Sequence, residues 1–376
     1  MRIPFNKPYI TSTRINIKRM ALKTTTVAGN GYFTHKCQRF FEKRFKFHKC
    51  LLANSCTDAL EMAALLTGIQ PGDEVIMPSF TFTSTANAFL LRGAKIVFAD
   101  VLHDIPNIDA VQIEALITPA TRAIVLVHYS GIACMMDEIM GLAAKHNITV
   151  IEDAAHAVDS FYKGRALGSI GRFGAFSFHE TKNIISGEGG MISINDPADV
   201  KAAEIAWEKG TNRAAFHRGE VDKYQWMGPG SSYLPSELTA GFLDLQLSQF
   251  DKIQKQRKKI WWKYHDSLKG LQEEDLLKLP VIPEFAVVNG NMFYIVLPTP
   301  EIRDGLLKYL NRNGIHAVFH YLPLHTSPYY INLHGLASLP NTERFSKCLL
   351  RLPFFFKLTH KQIDHIAETI RLFFKS

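Results

Sequence analysis

A lysine framed by an aromatic run and a glycine turn is the residue whose setting most favours chemistry. Lys182 follows the apolar run Gly174–Phe178 and precedes Gly187, Gly189 and Gly190. An ordinary lysine side chain has a pKa of about 10.4, so its amine is almost wholly protonated at neutral pH and is a poor nucleophile. Burial lowers that pKa, so this setting favours amine chemistry. A solvated surface lysine is the alternative.

Two polar segments follow other apolar runs. Asn54, Ser55, Cys56 and Thr57 come after one run and begin a helical pattern. Backbone N–H groups and hydroxyls at a helix N-terminus bind phosphate, although an ordinary helix cap is the alternative. The second segment, Glu152–His156, places carboxylates directly after Thr149–Ile151. It predicts either a ligand-facing carboxylate or a helix cap.

These features together match the needs of pyridoxal 5′-phosphate (PLP). The cofactor requires a phosphate site, a carboxylate that keeps its pyridine nitrogen protonated, and a lysine that binds its aldehyde. Phe82 follows the second apolar run and is the candidate aromatic cover for the ring, with a place in the core as the alternative. The sequence therefore predicts a PLP site around Asp153 and Lys182.

We predict that the elements that position these residues form a mostly parallel, doubly wound sheet. Apolar runs of Val, Ile and Leu alternate with helical patterns, as expected for strands buried on both faces and joined by helices. We predict seven strands, at Cys50–Ala53, Glu74–Met77, Lys95–Ala99, Ala123–Val127, Thr149–Ile151, Gly174–Phe178 and Met191–Ile194. We predict helices at Thr57–Leu66, Ala86–Leu91, Ala110–Ile117 and Met136–Lys145. Ligands in such sheets bind at the carboxyl ends of the strands, where the polar segments lie.

The C-terminal third predicts a second, smaller α+β domain. A helical pattern without Gly or Pro runs over Ser236–Leu268 and is expected to connect the two domains. A terminal helix is indicated by Ile363, Ile366 and Ile370. Between them the pattern predicts a strand, a helix and a strand, at Met292–Leu297, Ile302–Asn313 and His316–His320. We place the large domain at residues 1–245 and the small domain at 246–376.

Composition excludes several classes of protein. The chain has 376 residues, 47% of them hydrophobic, which is too apolar for intrinsic disorder and ample for about two domains. No apolar run is long enough to span a membrane, and Met1–Lys23 lacks the apolar stretch of a secretory signal, so we expect a cytoplasmic protein that does not associate with membranes.

Charge and cysteine content narrow the choice of partners. The net charge of +8 includes no run of five basic residues, so an ordinary basic surface is the first interpretation, and small phosphorylated ligands come next, ahead of nucleic acid. The five cysteines are odd in number and scattered. This spacing predicts neither disulfides nor a metal site.

The chain resembles the sugar aminotransferases of fold type I, the DegT/DnrJ/EryC1/StrS family. The segments Gly72–Pro78, Glu152–His156 and Phe176–Gly190 look like the motifs of that family, in the same order and spacing. The resemblance extends over nearly the whole chain. It implies the fold of that family, a PLP cofactor, and a homodimer whose active sites lie between the subunits.

The resemblance also implies roles for individual residues. Lys182 would bind PLP covalently and move protons, Asp153 would pair with the pyridine nitrogen, and His156 would lie near the phenolic oxygen. His179 neighbours the lysine and, like His156, would be a catalytic residue that also contacts the cofactor. Phe82 would stack on the ring. The phosphate region would contact Ser55, Cys56, Thr57, Asp58 and Ser177. The family asparagine that one subunit gives to the phosphate of the other has no clear counterpart, and Ser232 is the candidate in its place.

Three further segments are similar to those of members that aminate a dTDP-4-keto-6-deoxyhexose. They are Glu208–Arg213, Arg218–Tyr224 and Phe319–His325. The resemblance implies a ping-pong transfer from L-glutamate to dTDP-4-dehydro-6-deoxy-D-glucose, giving dTDP-4-amino-4,6-dideoxy-D-galactose for bacterial surface polysaccharide. The candidate substrate-binding residues are Lys209, Arg213, Arg218, Lys223, His320, Tyr321 and His325.

Four alternatives are weighed against this interpretation. Another dTDP- or UDP-linked 3- or 4-aminotransferase fits the same motifs. A sugar dehydratase of the same fold typically has histidine in place of Lys182. A nicotinamide dehydrogenase would need a G-x-G-x-x-G motif after the first strand, which is absent from the sequence. A non-catalytic protein that binds a nucleotide sugar would keep the fold without the chemistry.

Overall fold

The computed structural model describes residues 2–11 and 27–375. Most of Met1–Lys23, the segment in which no secretory signal is predicted, lies outside the described residues. Among the described residues, no helix combines the length and apolar character needed to cross a membrane.

Seven strands form the main sheet, as predicted. They are β1 (Lys49–Ala53), β2 (Glu74–Pro78), β3 (Lys95–Ala99), β4 (Thr121–Val127), β5 (Thr149–Asp153), β8 (Phe173–Ser177) and β9 (Gly190–Ile194). Their order across the sheet is β1-β9-β8-β5-β4-β2-β3. Only β9 pairs antiparallel with its neighbours, so the sheet is mostly parallel. The predicted bounds of these strands differ from the observed ones by two residues at most.

Helices cover both faces of this sheet, and successive strand residues pack into two separate cores. Ile76 and Val150 join one core, whereas their neighbours Val75 and Ile151 join the other. Both faces are apolar because parallel strands with helical crossovers are buried on each side. The helices of the region are α1 (Tyr32–Phe45), α2 (Cys56–Leu66), α3 (Thr83–Leu90), α4 (Ala110–Leu116), α5 (Met136–His146), α6 (Val200–Trp207), α7 (Arg213–His217) and α8 (Glu237–Leu247).

The C-terminal part has its own core. Its elements are α9 (Phe250–Glu273), β10 (Ala286–Val287), β11 (Tyr294–Val296), α10 (Pro300–Arg312), α11 (Pro328–His334), α12 (Pro340–Cys348), β12 (Leu349–Arg351) and α13 (His360–Lys375). Strand β10 joins the short hairpin β6 (Phe161–Tyr162) and β7 (Arg165–Ala166), and β11 pairs with β12. Helix α9 contributes Ile253 to a core of the large sheet and Ile260 to the C-terminal core. It therefore links the two parts of the chain.

Two predictions in this part are wrong. The single helix expected over Ser236–Leu268 is two helices, α8 and α9, separated at Ser248 and Gln249. The Ser248 hydroxyl donates a hydrogen bond to the carbonyl of Leu245 at 2.7 Å, and such local bonds compete with helix continuation. The strand expected at His316–His320 is a single bridge between Val318 and Arg351.

Candidate active site

A cavity of about 600 Å³ lies at the carboxyl end of the main sheet. Asp153 is the last residue of β5 and Ser177 is the last residue of β8, and both line it. Parallel strands end at one edge of a sheet, so polar residues far apart in sequence meet there. The cavity brings together eleven of the predicted residues: Ser55, Cys56, Thr57, Phe82, Asp153, His156, Ser177, His179, Lys182, His320 and Tyr321.

The N-terminus of α2 forms one end of the cavity. Ser55 is the N-cap, and its hydroxyl accepts a hydrogen bond from the backbone N–H of Asp58 at 3.0 Å. The carboxylate of Asp58 accepts from Ser55 and from Asn54, so it faces the cap rather than the cavity. Gly190 permits this arrangement, because a Cβ there would lie 2.3 Å from the carbonyl atoms of Ser55. The free backbone donors and positive dipole of this helix end suit an anion such as phosphate.

The neighbouring carboxylates of β5 have different surroundings. Glu152 is fully buried and accepts hydrogen bonds from three backbone N–H groups and from His128, so its position is structural. Asp153 lines the cavity, where its carboxylate accepts from the hydroxyl of Thr85 at 2.8 Å and from the backbone N–H of Ala155 at 3.1 Å. Burial raises the pKa of Asp153, and these two hydrogen bonds oppose that effect.

Lys182 lines the same cavity, and its amine has no hydrogen bond or ion pair with any described residue. Burial lowers the pKa of Lys182 to about 8, and the positive charge of Arg351 contributes to that shift while Cys56 and Asp153 oppose it. A pKa near 8 gives a far larger neutral fraction than an exposed lysine has. The amine is therefore available as a nucleophile or a base.

A buried amide network fixes the backbone beside Lys182. The side chain of Asn183 donates to Gln254 at 3.0 Å and to the carbonyl of Asn289 at 3.1 Å. It also accepts from Asn291 at 2.9 Å. These partners belong to α9 and to the segment before β11, so the C-terminal part of the chain holds the lysine in place.

Aromatic and histidine rings form another part of the cavity wall. The Nδ1 atom of His320 lies 2.8 Å from the hydroxyl of Tyr129, and its ring lies 3.5 Å from that of Tyr321, centroid to centroid. The ring centroid of His156 lies 6.2 Å from that of His320. Burial lowers the pKa of both histidines well below the usual value. Both are therefore neutral at pH 7. Phe82 is 60% exposed at the rim, where it can cover a ring bound in the cavity.

Some predicted site residues lie outside this cavity. Lys209, Arg213, Arg218 and Ser232 line a second cavity of about 790 Å³, and Lys223 is exposed. His325 is fully buried and its Nδ1 atom lies 2.8 Å from the hydroxyl of Ser79. That is a structural position, which corrects the expectation that His325 contacts the sugar. The prediction that Asp58 contacts phosphate is likewise replaced by its bonds to the cap of α2.

Several residues of the site were not predicted from sequence, among them Arg351, Thr85 and Tyr129. Arg351 and Thr85 line the cavity, and Tyr129 is fully buried behind His320. A signal for Arg351 exists, because it is the one charged residue in the apolar stretch Cys348–Phe356. Among the residues that the structure describes, no group of three or more His, Cys, Asp or Glu side chains is arranged to hold a metal ion.

Known proteins are similar to this chain over nearly its whole length. The family model described as the DegT/DnrJ/EryC1/StrS aminotransferase family matches residues 8–371. The spore coat polysaccharide biosynthesis protein SpsC of Bacillus subtilis (strain 168) is 33% identical over 98% of this chain and 96% of its own length.

Solved structures of other proteins are also similar to this chain over nearly its whole length. The PLP-form of Spr1654 from Streptococcus pneumoniae is 25% identical, with a TM-score of 0.90 over 100% of this chain and 99% of its own. DesV from S. venezuelae, solved in complex with a ketimine intermediate, is 28% identical, with a TM-score of 0.88 over 100% of this chain and 99% of its own.

Proposed function

We propose that this chain, which belongs to the DegT/DnrJ/EryC1/StrS aminotransferase family, moves the amino group of L-glutamate to the 4-keto carbon of a dTDP-linked 6-deoxyhexose. The family and the solved relatives make it a PLP-dependent sugar aminotransferase. The observation that most supports the proposed site is the unpaired amine of Lys182, which shares a cavity with the buried carboxylate of Asp153.

The residues of the cavity fit PLP. The N-terminus of α2, with Ser55, Cys56 and Thr57, and the hydroxyl of Ser177 suit the phosphate. The carboxylate of Asp153 suits a protonated pyridine nitrogen, and neutral His156 suits the phenolic oxygen. The exposed ring of Phe82 is free to stack on the cofactor. When bound, PLP supplies an electron sink that acidifies the carbon next to the amine.

Lys182 would supply both the attachment and the proton transfer. Once its amine is released from the cofactor, Nζ is the base in the cavity that can remove the proton from the α-carbon of glutamate. The same atom would return a proton to C4 of the sugar, and delivery from one fixed face determines the configuration of the new amine. His179 is held by a 2.9 Å contact with the hydroxyl of Thr181, beside the lysine. We assign it a positioning role.

The lowered pKa of Lys182 predicts a pH profile for cofactor capture. We expect the rate at which apoprotein binds PLP covalently to rise about tenfold per pH unit up to pH 8 and to level off above it, because only the neutral amine attacks the aldehyde. Stopped-flow absorbance at a series of pH values measures the rate. The exposed-lysine variant Lys308→Ala should show the same profile. A rate that keeps rising to pH 10 would show that Lys182 has an ordinary pKa.

The sugar substrate is inferred from the chain's similarity to members that aminate dTDP-4-keto sugars. The segments around Arg213, Arg218 and Tyr321 support it. The guanidinium of Arg218 is paired with Glu204 and Glu220, so Arg213, which has no carboxylate partner among the described residues, is the arginine best placed to bind diphosphate oxygens. The name of SpsC refers to polysaccharide biosynthesis, which is the use we propose for the product, dTDP-4-amino-4,6-dideoxy-D-galactose. The experiment is incubation with L-glutamate and a panel of dTDP- and UDP-linked 3- and 4-keto sugars, followed by NMR of the products. It shows which nucleotide the enzyme accepts, which carbon of the sugar is aminated and which configuration the new amine has. Product from UDP-linked sugars alone would contradict the proposal.

We infer that two copies of the chain form the working enzyme. The segment after α7 exposes large apolar side chains, with Trp226 82% exposed, Met227 53% and Tyr224 52%. Such exposure in a contiguous segment is typical of an interaction surface. In a symmetric dimer, this segment and the second cavity, with Lys209, Arg218 and Ser232, would face the partner's active site. Lys223 lies in the same segment and would reach the nucleotide of the partner's substrate.

Replacing Arg213 tests this arrangement. We expect Arg213→Ala to raise the apparent KM for the nucleotide sugar about 10- to 100-fold, the worth of one charge-assisted contact to phosphate, while the reaction with glutamate alone stays within about twofold. Steady-state kinetics measure the apparent KM for the nucleotide sugar, and single-turnover kinetics measure the reaction with glutamate alone. Arg312→Ala removes an exposed arginine elsewhere and should leave both reactions unchanged.

Mixed dimers show which subunit uses Arg213. In an equimolar, re-equilibrated mixture of Lys182→Ala and Arg213→Ala, half of the dimers are hybrids, and each hybrid has one site with both residues if Arg213 acts across the interface. At low sugar concentration we expect about a quarter of the wild-type activity. Activity no higher than the residual activity of Arg213→Ala would place Arg213 in the site of its own chain, whereas about half of the wild-type activity would show that Arg213 lies outside both sites.

A further inference from the structure

Tyr129 is a buried residue behind the cavity that the proposed chemistry does not use. Its side chain is fully buried, and its ring packs against those of Phe80, Tyr294 and Tyr321 at centroid distances of 5.2, 5.6 and 6.2 Å. Its hydroxyl lies 2.8 Å from Nδ1 of His320 and makes no other hydrogen bond with a described residue. The aromatic packing therefore holds one polar atom at a defined place beside His320.

The hydroxyl of Tyr129 is the donor in this contact. Burial raises the pKa of Tyr129 well above the usual value, so the hydroxyl keeps its proton at neutral pH. Nδ1 of His320 is the only acceptor for that proton among the described residues. If Nδ1 carried a proton as well, the buried hydroxyl hydrogen would have no acceptor, and a buried donor without a partner is costly. Nδ1 is therefore unprotonated and accepts the hydrogen bond.

His320 consequently has its one N–H group at Nε2. Burial lowers the pKa of His320 well below the usual value, and the positive charges of Arg351 and Lys182 add to that effect, so the ring is neutral at pH 7. A neutral imidazole that accepts at Nδ1 carries its proton on Nε2. Nε2 has no hydrogen-bond partner among the described residues and, unlike Nε2 of His325, it is not a buried atom. It is therefore open to the cavity that His320 lines.

The other histidine of the cavity has the same tautomer, but its donor is assigned to the cofactor. Nδ1 of His156 accepts from the backbone N–H of Ser130 at 3.4 Å, so Nε2 of this neutral ring also carries the proton. That donor suits the phenolic oxygen of PLP, which leaves the donor of His320 for a substrate atom. An uncharged N–H suits an uncharged oxygen, because carboxylate and phosphate oxygens are bound more strongly by cations.

We propose that Tyr129 is a positioning residue, which holds His320 so that its Nε2–H donates a hydrogen bond to the oxygen of the keto group of the sugar substrate. The inference rests on the proposed aminotransferase function. The keto carbon must approach Lys182, and Lys182 and His320 line one cavity and interact electrostatically.

A fixed, neutral donor at this place would favour the reaction of the keto group. When an amine attacks the keto carbon, its electron pair forms the C–N bond and the π pair of the carbonyl moves to the oxygen. The oxygen gains negative charge, so a fixed N–H stabilises the transition state more than the bound ketone. A neutral imidazole can polarise a carbonyl in this way without competing with Lys182 for a proton.

Tyr129→Phe removes only the hydroxyl and tests the assignment in the PLP-loaded enzyme. We expect the single-turnover rate of amino transfer to the keto sugar to fall about tenfold, the worth of one hydrogen bond, while the reaction with glutamate alone stays within about twofold. The matched control is Tyr294→Phe, because the hydroxyl of this neighbouring buried tyrosine has no hydrogen-bond partner among the described residues. It should leave both rates unchanged.

A double-variant cycle shows whether the hydroxyl acts through His320. His320→Gln keeps an N–H donor but has no Nδ1 acceptor, so adding Tyr129→Phe to it should change the keto-sugar rate by less than about twofold. A further tenfold loss in the double variant would overturn the proposal. So would equal slowing of the glutamate and sugar reactions in Tyr129→Phe, or no change in either.

Nitrogen-15 NMR of protein labelled at histidine gives a readout that does not depend on turnover. The resonances of His320 are identified by their absence in His320→Gln. In the wild type, with or without PLP, we expect a protonated Nε2 and an unprotonated Nδ1, and Tyr129→Phe should shift the Nδ1 resonance because the hydrogen bond is lost. Tyr294→Phe should give the wild-type spectrum. A proton on Nδ1 in the wild type would overturn the proposal.

Two further outcomes are distinguished by the same set of proteins. If the wild type aminates none of the keto sugars, the proposed function fails, while NMR still decides whether Tyr129 holds His320 in this tautomer. Thermal melts followed by circular dichroism check that each variant is folded. If Tyr129→Phe does not fold, the wild-type spectrum and His320→Leu, which has no donor, decide. A loss of at least about tenfold confined to the keto-sugar reaction supports the assignment, and unchanged rates overturn it.

Discussion

Lys182→Ala is expected to abolish turnover, with kcat falling by at least about 10³-fold. The variant loses both the covalent attachment to PLP and the base that moves the proton. Among the described residues, Lys182 is the only lysine that lines the cavity, and its pKa of about 8 suits both tasks at neutral pH. The measurement is steady-state product formation with L-glutamate and the sugar substrate that proves active. Absorbance of the bound cofactor should also differ from that of the wild type.

The control for this result is Lys308→Ala, which removes an exposed lysine. It should keep wild-type kcat and wild-type absorbance. Lys182→Arg keeps the positive charge but not a nucleophilic amine, so it should be as inactive as the alanine variant. Activity within tenfold of the wild type in either Lys182 variant would contradict the proposed mechanism.

Asp153→Asn is expected to lower kcat by about 10² to 10³-fold while the protein stays folded. The amide is the size of the carboxylate and can keep the hydrogen bond from Thr85, but it has no charge to hold a proton on the pyridine nitrogen. Without that proton the cofactor is a weaker electron sink. Burial already disfavours the charged carboxylate, as its raised pKa shows, so removing the charge should not destabilise the fold.

A matched variant separates this effect from a general loss of charge. Asp266→Asn removes an exposed carboxylate on α9 and should leave kcat unchanged. Stopped-flow measurement of the reaction with glutamate alone should locate the defect of Asp153→Asn in proton transfer rather than in glutamate binding. Wild-type kcat in Asp153→Asn would show that this carboxylate does not pair with the cofactor.

The sheet could be predicted from sequence because its strands are continuous apolar runs separated by helical patterns. Val75, Ile76 and Met77 are all buried, since helices cover both faces of the sheet. The C-terminal part was less predictable. Nothing in the composition of Ser236–Leu268 signals that Ser248 and Gln249 interrupt the helix, because the break depends on local hydrogen bonds and packing.

The residues of the cavity that belong to the motifs were predictable, and those that depend on long-range packing were not. Asp153 ends β5 and Lys182 lies in the segment that follows β8, so their place follows from topology. Arg351 is more than 160 residues from Lys182 in the chain, and only the packing of β12 against residues that follow the strands of the main sheet places it in the same cavity. The opposite error concerns His325, whose type and neighbours suggested a ligand contact but whose side chain is buried against Ser79.

The covalent bond between Lys182 and PLP is tested most directly by borohydride reduction of the cofactor-saturated protein, proteolysis and mass spectrometry of the peptides. We predict a pyridoxyl group on the peptide that contains Lys182 and on no other lysine. An unmodified Lys182 peptide, or modification of a different lysine at full occupancy, would contradict the assignment of this cavity as the active site.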